Sequence, residues 1–307
     1  MLFMETLTSA KVNLLWTSLA SLVISTIVSY IAKKLEVRDK LKAEYSHEQQ
    51  KKIRELIGSY HGRLVRSSRS LNYRFFNLYR NHKKDWLNVR GKYRSLTGYY
   101  FSSFVHRLLC VLAIVRQFEK EAIYLDARIA EKNDFIFLNY LDAFHWVMTD
   151  AQLFKGLEYD STSARDHFFS DFLRALSEKL WVDDDFVSLD LLGEIIKEGQ
   201  IDSALKFLDG LSKSENRFRW DRLICFHLLL LAFMNRFGYE SDKAKQEKFD
   251  EIVSMANQRV ILENFDSWFG KLGLEKDREI KRIRKAIRKS STAKLFKIPV
   301  FNLSWSN

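Results

Sequence analysis

Residues 12–32 read VNLLWTSLASLVISTIVSYIA, a run of 21 residues without one charged side chain. At a rise of 1.5 Å per residue, such a helix is roughly 30 Å long, the thickness of a bilayer's hydrocarbon core. A cleaved signal peptide fits less well. The apolar run is longer than a signal's usual core, and bulky Tyr30 stands where a cleavage site needs a small residue. A soluble core helix of this length would carry charge on one face, whereas this one, beyond Asn13 near its start, carries only Ser and Thr. The expectation is a retained transmembrane helix at 12–32.

The flanks set its direction. Residues 1–11 contain Glu5 and Lys11, which cancel, while the other side opens with Lys33, Lys34, Arg38, Lys40 and Lys42 against Glu36 and Asp39. Excess Lys and Arg marks the cytoplasmic side. Residues 1–11 are therefore expected to form a short extracytoplasmic N-terminus, with everything after 32 cytoplasmic at the inner membrane. The five cations are candidate headgroup contacts. Within the apolar run, Ser18, Ser21, Ser25, Ser29 and Ala32 recur at steps of three and four and share a face. Small residues let membrane helices approach closely, so the four serines are candidate helix contacts in a homo-oligomer. The same hydroxyls can also simply bond back to their own helix.

One proline and eleven glycines in 307 residues argue for long uninterrupted helices, and 47% hydrophobic residues are enough for a real core. The predicted fold is all-α, a single N-terminal transmembrane helix followed by a cytoplasmic multi-helix bundle. Its expected divisions are basic juxtamembrane helices and loop at 33–98, a helical core at 99–270 and a basic amphipathic segment at 271–307. The anchor is expected to continue to about 57 and break near Gly58 and Gly62, with a second helix at 63–80. Further helices are expected near 99–131, from Asn133 or Asp134 to 154, and at 164–181, 187–198, 201–209, 216–237 and 241–269, the last with room for an interruption. The apolar stretch 99–115 carries His106 and Arg107 at its middle, which suits a soluble core better than lipid. No period-two strand is evident.

Charge is segregated along the chain. Residues 33–94 hold 18 Lys/Arg against 6 Asp/Glu, net +12; residues 95–270 hold 20 against 29, net −9; residues 271–297 hold 11 against 3, net +8. The first segment suits an anionic leaflet or a plain solvated face. It also interleaves bases with Tyr73, Phe75, Phe76, Tyr79, Trp86 and Tyr93, as single-strand binders do. Several of these rings are needed for packing, so direct nucleic-acid binding is not expected. At 277–289, Ile280, Ile283 and Ile287 form one stripe among bases. That pattern suits either an interfacial helix, with Phe296, Phe301 and Trp305 dipping into lipid, or a final helix docked on the core.

Signals for chemistry are sparse. Cys110 and Cys225 sit in apolar runs and read as buried thiols. Asp142 with His145, and Asp183-Asp184-Asp185, fall short of a metal pattern, so no metal or cofactor is expected. Arg222…His227 and Arg54…His61 resemble the Arg-(four to six residues)-His motif of the all-helical HEPN ribonucleases. In both, the residue after Arg (Leu223, Glu55) departs from the Asn, Asp or His usual there, and the chain is not expected to be an enzyme. In layout alone, an N-terminal anchor before a helical cytoplasmic body, it resembles membrane effectors of bacterial anti-phage systems. That resemblance implies depolarisation or permeabilisation of the inner membrane, released by a cytosolic protein or nucleoprotein partner docked on the acidic middle. The alternative is a non-toxic membrane-bound adaptor.

Overall fold

A computed structural model describes the backbone of residues 2–93 and 98–295, with side chains from 16–93 and 98–290. The Glu5 and Lys11 flank and the Phe296, Phe301 and Trp305 tail lie outside the described side chains. Helix makes up 72% of the chain. The chain divides into two compact units at Lys52/Ile53. Each is taken by itself.

The core of the larger unit is built around α7 (Arg219–Phe237), whose first 17 residues, Arg219 to Asn235, are all buried. A helix with so long an apolar run, Leu223–Met234 interrupted only by His227, must be covered on every side. α3 (Lys132–Thr149), α8 (Gln246–Ser254), α9 (Arg259–Trp268) and α10 (Arg278–Leu295) pack directly on it. α2 (Tyr99–Ala122) extends the core on α3, α4 (Ser170–Glu178), α5 (Leu189–Lys197) and α6 (Asp202–Leu208). As its central charges predicted, α2 is a core helix, with 72% of its most apolar window buried.

The first helix overturns the expected break. α1 runs unbroken over Leu2–Arg80, through Gly58 and Gly62. From Ile53 onward, Tyr60, Leu64, Leu71, Phe75 and Leu78 recur on one buried stripe, and Phe75 meets Phe104 of α2 and Phe226 of α7. That packing outweighs about 1 kcal/mol of helix propensity lost per glycine. Residues 60–87 and 280–287 belong to the same hydrophobic cluster as the middle of the chain. Each basic end thus contributes an apolar stripe to one core.

Several other boundaries moved because tertiary hydrogen bonds captured the backbone. Helix 164–181 begins only at Ser170, because Phe168 N–H donates to the Met148 carbonyl and the Asp166 carboxylate accepts from Phe218 N–H. Helix 99–131 stops at Ala122, after which Asp126 turns the chain by accepting from Arg128 N–H. Between α4 and α5 lies an unforeseen hairpin, β1 (Trp181–Val182) antiparallel to β2 (Asp185–Phe186). Its two turn residues, Asp183 and Asp184, both take positive φ, 50° and 61°. A two-residue hairpin needs that geometry, and Asp tolerates it better than most L-residues. α7 ends at Gly238 as read from the sequence; a Cβ there would collide with the Met234 carbonyl.

α10 resolves the two readings left open for 277–289. Ile280 and Ile283 are 0% exposed and Ile287 4%. The stripe faces the core, with Arg284 bonding Asp266 at 2.5 Å and Lys289 bonding Asp250 at 2.5 Å.

Two stability measurements follow. Gly58→Ala places a methyl in open space on an exposed helical site. It should stabilise the fold by about 0.5–1 kcal/mol; a loss would mean the helix is interrupted there. Ile283→Ala should cost about 2–4 kcal/mol in denaturant unfolding, whereas a membrane-lying isoleucine would leave stability unchanged.

Candidate functional site

The N-terminal unit, residues 1–52, contains a helix long and apolar enough to span a membrane. None of its most apolar window is buried. At 100° per residue the large side chains point in most directions: Leu22, Leu19, Val23, Ile27, Ile31, Ile24 and Val28 follow one another round the axis. All are exposed. The remaining sector belongs to Ser18, Ser21, Ser25 and Ser29, which fall within about 80° of one another by the same geometry. The structure thus places all four predicted contact residues on one exposed face. The hydroxyl of Thr26, outside that face, bonds back to the Leu22 carbonyl at 2.7 Å.

Trp16, passed over in the sequence, and Tyr30, read there only against a cleavage site, matter here. Trp16 and Tyr30 are each 69% exposed and stand 14 residues apart, about 21 Å along the axis. Amphipathic aromatics near both ends of an apolar run are the pattern of an interfacial belt. Beyond Tyr30, the predicted cations Lys33, Lys34, Arg38, Lys40 and Lys42 are all exposed. Helical geometry puts Lys33 and Lys40 on one side and Arg38 and Lys42 nearly opposite, so they form a collar and not a stripe. A helix lying flat on a surface would need them on one side. Arg38 meets Asp39 at 3.3 Å and Lys40 meets Glu44 at 4.0 Å, both in full solvent, where such pairs add little.

The chemistry-bearing residues of the larger unit are mostly committed to its interior. Arg222 is 0% exposed. Its guanidinium donates to the carbonyls of Asp166 (2.7 Å), Asp150 (3.0 Å) and Val147, and it lies 4.4 Å from the Phe154 ring centroid. Burial pulls it down to about 10. His227, also 0% exposed, stacks on Phe75 at 4.6 Å. Its Nε2–H donates to Asn72 Oδ1 at 2.8 Å and its Nδ1 accepts from the Tyr79 hydroxyl at 3.0 Å. Burial depresses it to about 3, so the ring is neutral. The second Arg-His pair is divided: Arg54 pairs with Glu131, while the His61 ring bonds the Phe237 carbonyl at 2.9 Å. His145 bonds Ser170 Oγ at 2.9 Å, and Asp183-Asp184 are spent on the hairpin turn. Both cysteines are buried and free, with burial pushing Cys110 up to about 12. Among the described residues no group of three or more His, Cys, Asp and Glu could hold a metal.

Next to Arg222, Asp221 is 0% exposed, and its Oδ1 accepts from the amides of Asn257 (2.6 Å) and Gln258 (3.0 Å). Its Oδ2 is buried without a hydrogen-bond partner, and desolvation pushes the carboxyl up to about 6. Between about pH 4 and 6 the folded state therefore holds a proton that the unfolded state has lost, so this group's contribution falls as pH rises. His227 acts oppositely. Its contribution is complete above about pH 6.5 and is lost as pH falls toward 3. Asp221→Asn keeps the acceptor and removes the charge. Its stability relative to the parent should improve by about 3 kcal/mol between pH 4 and 7, measured by thermal unfolding in detergent. An unchanged difference across that range would contradict the buried carboxyl.

No protein-family model, no curated protein and no solved structure matches this chain.

Proposed function

We propose that residues 12–32 anchor this chain in the inner membrane, N-terminus outside, and that the helical body acts at that membrane from the cytoplasmic side. The observation that supports this is a helix apolar in most directions, wholly exposed, bounded by Trp16 and Tyr30 and closed by an all-round cationic collar. In water that surface costs about 25 cal/mol for each Å² left uncovered, and lipid is the cover its length matches. Self-association through Ser18, Ser21, Ser25 and Ser29 would bring several anchors together, with hydroxyls and not leucines at their shared axis. An assembly of that kind lets ions leak, so the proposed activity is that of an effector that depolarises or permeabilises the bilayer. A cytosolic protein or nucleoprotein partner on the acidic middle of the chain would hold or release it.

Replacing Ser21, Ser25 and Ser29 together by Leu keeps the segment apolar and fills the close-approach face. Crosslinked oligomers in native membranes should diminish, and the collapse of a potential-sensitive dye signal on induction should be lost with them. Oligomers that survive the triple substitution would remove the serine face from the mechanism. Unchanged polarisation and normal growth on inducing the parent would leave an adaptor or scaffold as the role.

A further inference from the structure

Within the larger unit, Arg69 lines two hollows of about 710 and 630 Å³, the size range of small-ligand sites. Their common wall is one face of α1. Arg66, Arg69, Tyr73, Phe76 and Arg80 recur there at steps of three or four over about 21 Å, with Asn77 beside Phe76 on the same face. Tyr239 and the segment from Ser241 to Lys248 form the opposite side. Three of the groove's cations are spoken for: Arg69 Nε bonds Asp242 Oδ2 at 2.8 Å, Lys243 pairs with Glu240, and Lys248 bonds Glu251 at 2.7 Å. Arg66, Arg80 and Lys245 lie exposed, and no ion pair is found for them among the described residues. The carboxylates in the walls are Asp242, Glu247 and Asp185.

The rings decide the kind of anion. Phe75 and Tyr79 are buried, as their packing role predicted, but Tyr73 is 69% exposed. Across the groove Tyr239 is 60% exposed, with the Arg69 guanidinium 5.1 Å from its ring centroid. Flat π faces set between uncommitted cations offer stacking and phosphate contact together. An acidic peptide gains nothing from the rings, and a flat bilayer cannot fill a groove. We propose that this groove binds nucleotides, with Arg66, Arg80 and Lys245 on phosphate and Tyr73 stacking a base. The ligand is a free nucleotide or a short single strand. The site does not depend on the membrane reading.

The test uses the full chain in nanodiscs of zwitterionic lipid, with fluorescently labelled oligothymidylate and labelled ATP as separate probes. Binding of either supports the proposal: ATP alone identifies a free nucleotide, the oligomer alone a single strand. Tyr73→Ala should weaken binding about tenfold while Tyr73→Phe retains it. Arg80→Gln with Lys245→Gln should weaken it and flatten its salt dependence. Lys271→Gln, on the exposed connection after α9, should change nothing. The proposal is overturned if neither probe binds, if Tyr73→Ala equals Tyr73→Phe, or if Lys271→Gln weakens binding as much. It is overturned too if polyglutamate displaces the probe as well as unlabelled oligonucleotide does.

Discussion

Two adjacent charged residues on the most buried helix hold the domain's irregular segments in place. Asp221 and Arg222 sit side by side at the start of α7, and neither exchanges a side-chain hydrogen bond with an opposite charge. Asp221 instead gathers two amides from the chain entering α9, and Arg222 gathers three carbonyls from the end of α3 and the loops beyond it. A buried charge left unpaired costs several kcal/mol, so these loops are bound to α7 by the same groups that would destabilise it if released. The backbone groups are served in turn, since a loop run against the core would otherwise leave amides and carbonyls dry.

The same economy recurs where the basic loop after α1 meets α6. The carboxylate of Asp209 accepts from the amides of Val89, Arg90 and Gly91 at 2.7–3.2 Å. Arg90 and Gly91 hold positive φ, 51° and 73°, which turns successive N–H groups toward one anion. At Asp209, Asp221 and Arg222 side-chain charge is used on backbone groups and not on an opposite charge, so these titratable residues serve the fold of the loops around them.

The N-terminal unit obeys the opposite rule. No side chain from 16 to 45 is buried, and the apolar part offers water no polar face beyond hydroxyls. Trp16, Tyr30 and the cations after them are graded along the axis, aromatic, apolar, aromatic, charged, an order that packing in a core does not require and that the proposed anchor would share with depth in a bilayer. Charge asymmetry across the chain acquires a place in this picture: the collar follows the apolar stretch of the N-terminal unit, while the bases from Arg66 to Arg80 border a groove in the other unit.

Much of this was legible in one dimension. Uncharged length and its flanking lysines single out 12–32, and scarce Pro and Gly imply helices throughout, because both signals depend only on local composition. The burial of α2 could be read from a central Arg107 that lipid would reject. What the sequence could not disclose was decided by contacts distant along the chain. Gly58 and Gly62 do not break α1, since the stripe from Tyr60 to Leu78 is held by Phe104 and Phe226. Ile280 and Ile283 face protein and not lipid, a choice their periodicity leaves open. His227, half of a plausible catalytic pair on paper, is a neutral ring clamped between Asn72 and Tyr79. Periodicity names a face; only the fold says what covers it, because the free energy of burial depends on the neighbour and not on the spacing.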